Sequence, residues 1–175
     1  MKKRIIALGL LWCLSAVMLQ AARVDTVLVR SAAMNKDVKV VYVLPDKAIG
    51  KQACPVVYLL HGYGGNARSW VQLKPELPQM ADEKGIIFVC PDGKNSWYWD
   101  SPENPAYRYE TFVTSELVKY TDGNYATIPD RKARAISGLS MGGHGALWSA
   151  IRHKDVFGAA GSMSGGCLLY TSDAA

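Results

Sequence analysis

Two nearly unbroken apolar runs, each closed by glycine, limit what this chain can fold into more than any other feature: "CPVVYLLHG" (54–62) and "GIIFVCPDG" (85–93). A strand with one wet face alternates apolar and polar residues, whereas a continuous run belongs to a strand buried on both faces of a helix-covered parallel sheet. "RKARAIS" (131–137) reads as a third core strand, and "VFGAAGSMSGG" (156–166) begins a fourth. Ahead of them, "VDTVLVRS" and "DVKVVYVLP" flank "AAMNK", which predicts an antiparallel pair opening the domain. Between the core runs, Pro75 and Pro78 break an early helix and leave a short one near Gln79 to Lys84. Phe112, Leu117 and Tyr120 recur at near-helical spacing in 109–125, and Ala146, Leu147, Ala150 and Ile151 mark a helix after the third strand. The expected fold class is α/β, a mostly parallel sheet flanked by helices, in one domain of a 175-residue chain.

Residues 1–22 have another character. "MKKR" precedes the 15-residue apolar run Ile5–Leu19, and "QAAR" follows with small residues at Ala21 and Ala22, the order of a secretory signal peptide. A spanning helix needs about 20 apolar residues, so export without a stable membrane anchor is expected. The net charge of +5 falls to +2 once Lys2, Lys3 and Arg4 are removed, leaving no basic block that suggests nucleic acid. Cys54, Cys90 and Cys167 carry no CxxC or Cys/His spacing, so no metal and no cofactor are expected. Cys54 opens one core strand and Cys90 closes another, too far apart for a disulfide.

The chemistry is concentrated in "GLSMG" (138–142), which fits the G-x-S-x-G turn from strand to helix that lifts a serine above a sheet in a strained backbone conformation. Its context fits, with an apolar strand before it and an amphipathic helix after it. Ser140 is the candidate nucleophile, and the N–H of Met141, at the start of that helix, is a candidate donor to an oxyanion. "HGYGG" (61–65) follows the first buried strand, where the second donor is expected from Tyr63 or Gly62. Trp97, Tyr98 and Trp99 follow the second buried strand, and ligands of open α/β sheets bind beyond the carboxyl ends of the strands. They are candidates for a pocket wall or for packing of their long loop.

"VVYLLHGYGGNARSW", "CPDGKNSWYWDSP" and "AISGLSMGGHGALWSAIRHKDVFGAAGSMSGG" resemble, in this order, the putative-esterase family of α/β-hydrolases. That family includes S-formylglutathione hydrolases, feruloyl and acetylxylan esterases, and mycolyltransferases. The resemblance runs from about Val38 to Gly166. It implies Ser140 as nucleophile and Met141 and Tyr63 as oxyanion donors. It also implies that His144, within "SMGGHGA", is not the general base.

A serine hydrolase needs a histidine to take the serine proton and an acid to orient it, and in this fold both follow the serine. Only His144 and His153 do, and neither reads as the base. "CLLYTSDAA" (167–175) departs from the family pattern, and one codon choice for it spells a transposase adapter used in sequencing libraries. We therefore expect a foreign tail, a domain missing its last strands with the triad acid and histidine, and an inactive fragment. The expected parent is a secreted serine esterase acting on a small-molecule or carbohydrate ester, acetyl or feruloyl. The alternatives are an acyltransferase with the same nucleophile and a non-catalytic carbohydrate-binding protein of this fold.

Overall fold

The computed structural model describes residues 22–166. The expected leader, apart from Ala22, and the 167–175 tail lie outside the described residues. β1 (Arg23–Ser31) and β2 (Lys36–Leu44) form the antiparallel pair expected from their β-branched residues, in register from Arg23 opposite Leu44 to Ser31 opposite Lys36. A short α1 (Asp46–Ile49), not foreseen, leads to β3 (Val56–Leu60). α2 (Ser69–Leu73) and α3 (Leu77–Lys84) come next, then β4 (Ile87–Pro91).

The expected break at Pro78 is a correction: Pro78 lies in the first turn of α3, where a missing N–H costs nothing, and only Pro75 separates the two helices. Helical structure then resumes as α4 (Tyr109–Thr111), a π turn (Phe112–Glu116) and α5 (Leu117–Asn124). The π turn accounts for the imperfect spacing in the sequence. Phe112 and Leu117 are five residues apart and both fully buried, as an i to i+5 turn allows. A 3₁₀ turn (Arg131–Ala133), β5 (Arg134–Leu139), α6 (Met141–Arg152) and β6 (Ala159–Met163) complete the order.

The six strands form one sheet in the order β1-β2-β4-β3-β5-β6, with β4, β3, β5 and β6 parallel. Alternate residues of the strands feed two cores. Tyr42, Tyr58, Leu60 and Ile136 pack with Phe112, Leu117, Met141 and Ala146 on one face. Val41, Val43, Leu59 and Phe88 pack with Trp70, Leu77 and Ala81 on the other. This two-faced burial explains the unbroken apolar runs. Cys54 and Cys90 are both buried and free, at opposite ends of neighbouring parallel strands. No helix among the described residues is long and apolar enough to cross a membrane.

The chain runs from β3 outward to β4 and then returns to the other side of β3 as β5. The sheet therefore switches direction between β3 and β5, and the crevice beyond their carboxyl ends is where such sheets hold ligands.

Candidate active site

The register of β3 against β5 assembles the site. Leu60 pairs with Gly138, so two residues further along each strand bring Gly62 beside Ser140. A Cβ on Gly62 would lie 3.6 Å from the Ser140 Cβ. The two motifs, almost 80 residues apart in sequence, are in contact.

Ser140 is solvent-exposed and has φ 54° and ψ −117°, a left-handed conformation that a serine adopts only at a cost of about 1–3 kcal/mol. The surrounding turn holds it there. Its N–H donates to the Met163 carbonyl at 2.8 Å, and its own carbonyl accepts the His144 N–H at 3.0 Å. A Cβ on Gly142 would fall 2.2 Å from the Leu60 carbonyl oxygen, so only glycine lets the first turn of α6 lie directly on the end of β3. Met141 is fully buried, and its N–H belongs to the first turn of α6, where backbone donors have no intrahelical partner.

Tyr63 stands on the other side of the crevice with its side chain 65% exposed. With Gly62, Leu73 and Leu139 it lines a shallow depression of about 450 Å³ that reaches the residue before Ser140 but does not include Ser140 itself. Leu73 was not foreseen as a site residue; the clue was an apolar residue on a short helix that turns it to solvent, 63% exposed. A larger cavity, about 1080 Å³, lies elsewhere. It runs between α5 and α6 past Glu110, Trp148 and His153 and does not include Ser140.

Beneath the 61–65 loop lies a buried polar network that sequence reasoning missed. The Gly93 N–H donates to His61 Nε2 at 2.9 Å, which leaves the ring proton on Nδ1, 2.7 Å from the Gly62 carbonyl. Burial acts to raise the pKa of the adjacent Asp92, but hydrogen bonds from the Lys94 N–H and ammonium, with the ammonium's charge, outweigh it and hold the carboxyl below its ordinary range. One His61 nitrogen is thus engaged within the 61–65 loop and the other by the main chain just after β4.

The three aromatics after β4 divide. Tyr98, a candidate pocket wall, is fully buried: its hydroxyl accepts the His61 N–H at 3.0 Å, so the ring packs the loop from below and faces no solvent. Trp97 and Trp99 lean on His144 with ring centroids 5.7 and 5.3 Å away. Trp99, 36% exposed, is the outermost of the three.

His144 is not paired with Ser140. Its Nε2 accepts the Trp99 indole N–H at 3.0 Å, and burial lowers its pKa from the ordinary 6.5. His153 sits at the far end of α6, about 20 Å along the helix axis from Ser140 at 1.5 Å per residue, where it contacts Glu110 at 2.8 Å. Glu110 also accepts from Trp148 and Arg152, an anchor between α4 and α6 that the sequence did not reveal.

A strained serine at a strand-to-helix turn, on the switch point of a mostly parallel sheet, defines an α/β-hydrolase. The chain belongs to the putative-esterase family, whose model matches residues 31–172. It is similar to an acetyl esterase of Caldicellulosiruptor saccharolyticus, 26% identical over 80% of this chain and 55% of the relative. It is also similar to the diacylglycerol acyltransferase/mycolyltransferase Ag85A of Mycobacterium leprae, 34% identical over 86% of this chain and 46% of the relative. A solved ferulic acid esterase superposes with a TM-score of 0.72 at 32% identity, over 83% of this chain and 58% of that one. The chain spans about half the length of the curated relatives it matches.

Proposed function

We propose that Ser140 is the nucleophile of an exported serine carboxylic-ester hydrolase working through an acyl-enzyme on acetyl or feruloyl esters of carbohydrate. One observation carries the reading: an exposed serine with φ 54° at the N-terminus of α6, with the 61–65 loop against it at the switch point. Ser140 Oγ bonds to the ester carbonyl carbon, and the carbonyl π pair moves to oxygen. The N–H groups of Met141 and Tyr63, with Gly62 as the alternative second donor, stabilise that oxyanion. As the carbon–oxygen double bond re-forms, the alcohol leaves with a proton; water then releases the acid and restores the serine.

The Ser140 proton needs a base, and all three histidines of the chain are engaged elsewhere. We infer that the base and its orienting acid are groups other than these three histidines. The acetyl and feruloyl choice draws on the named relatives and on the apolar shelf of Tyr63 and Leu73. Export draws on the basic and apolar order of residues 1–22. The similarity to an acyltransferase supports a second reading, in which a sugar hydroxyl replaces water as acceptor.

Intact-mass analysis after incubation with a fluorophosphonate tests the nucleophile. The Oγ–P bond forms, fluoride leaves and the hydroxyl proton passes to water, aided by the oxyanion donors alone. A single slow adduct that is absent in Ser140→Ala and retained in His144→Gln is the expected result. An adduct on Ser140→Ala, or none on the unaltered chain, would overturn the proposal.

A further inference from the structure

The loop after β4 is strained for no reason visible in its own sequence. Lys94, Trp97 and Tyr98 all have φ between 49° and 59°, three left-handed non-glycine residues within five positions. Such strain persists only where the surroundings over-determine the conformation, and it points toward function. Here the surroundings are the two halves of the site.

The Tyr98 side chain passes from one half to the other. Its near end lies on α6, where a Cβ on Gly145 would be 2.6 Å from the Tyr98 ring. Its far end lies at the close of β4, where a Cβ on Gly93 would be 2.3 Å from the same ring. The hydroxyl accepts the His61 N–H at 3.0 Å and meets the His61 carbonyl at 3.3 Å, the last main-chain groups before the 62–65 loop. Gly145 is one helical turn beyond Met141, and His61 immediately precedes Gly62. The ring is a strut between the helix that presents Met141 and the loop that presents Tyr63.

We propose that Tyr98 is a positioning residue that sets the separation of the two oxyanion-donor groups, through its ring on Gly145 and its hydroxyl on the His61 main chain. The proposal rests on the reading of Ser140, Met141 and Tyr63 above. An oxyanion site works because its donors are already in place, and a misplacement of about 1 Å costs on the order of a hundredfold in rate. One rigid ring between the donors supplies that placement without touching substrate. Burial pushes the Tyr98 phenol well above its ordinary 10, so the hydroxyl keeps its proton and can accept from the His61 N–H while donating to its carbonyl.

The test compares the 175-residue chain with its Tyr98→Phe variant, which keeps the ring and removes the hydroxyl. Two measurements are made on each: saturation kinetics of fluorophosphonate labelling at Ser140, and backbone amide shifts of ¹⁵N-labelled protein. The maximal labelling rate is expected to fall about tenfold or more, with the half-saturating probe concentration unchanged. The amide signals of Tyr63 and Met141 are expected to move with that of His61, while those of β1 and β2 stay in place. A tyrosine that only braced its loop would lower the melting temperature without slowing the maximal rate. Labelling at the unaltered rate, or shifts confined to residues 93–99 and His61, would overturn the proposal. If the unaltered chain takes up no probe, the reading of Ser140 fails, and the amide shifts still decide the role of Tyr98. Their reach to Tyr63 and Met141 supports it, and their confinement refutes it.

Discussion

Ser140 and His144 are one helical turn apart and have no chemistry in common. The turn leaves the serine exposed, while His144 is held among Trp97, Trp99 and Trp148 with its Nε2 taken by the Trp99 indole N–H. Because burial lowers the His144 pKa below 6.5, the unfolded chain binds the proton more readily than the folded one. Its contribution to stability is complete above about 6.5 and is lost as the pH falls toward the folded value. Urea unfolding between about pH 7.5 and 5.5 is expected to show that loss, and His144→Gln to flatten it. Gly142 is a residue-scale constraint of another kind. Gly142→Ala places a methyl 2.2 Å from the Leu60 carbonyl oxygen, within backbone that has no room to yield. A loss of about 2 kcal/mol or more is expected in the urea midpoint.

Among the elements, the π turn has a structural task that α-helical spacing would not perform. It ends at Glu116, whose carboxylate accepts the Ser31 hydroxyl at 2.6 Å and the Ala33 N–H at 2.8 Å, holding the turn between β1 and β2. Glu116→Ala removes two hydrogen bonds to a charged acceptor, and a cost of about 2 kcal/mol at unchanged m-value is expected. α6 departs from its sequence reading on one face. Ala146 is buried as its position suggested, but Leu147 and Ile151 are 43% and 66% exposed, and nothing among the described residues covers them. The apolar positions were legible; which of them meets a neighbour depends on the packing around the helix.

For the whole molecule, the site exists because a parallel sheet reverses its order of growth at β3. This puts the Gly62–Gly65 loop and Ser140 side by side, and among the described residues no histidine side chain hydrogen-bonds the Ser140 hydroxyl. Turnover of p-nitrophenyl acetate by purified 175-residue chain is expected to be negligible, and rapid turnover by monomeric protein would contradict it. Among the described residues β6 is an edge strand, and it carries Ala159, Ala160 and Met163 exposed and uncharged, the kind of edge that invites strand pairing between copies. Sedimentation velocity is expected to show concentration-dependent association, reduced in Ala160→Lys. The α/β class, the antiparallel opening pair and the serine turn could all be read from the sequence, because periodicity, glycine placement and local turn chemistry are properties of short segments. Glu110 and His61 could not, since a buried polar residue is recognised only by partners brought to it from distant positions. For the same reason the sequence left Tyr98 as either a wall of the crevice or packing for its loop, and only the tertiary structure put it underneath. A strand order and a register, set by side chains packing on both faces of the sheet, decide which residues face a ligand and which support those that do.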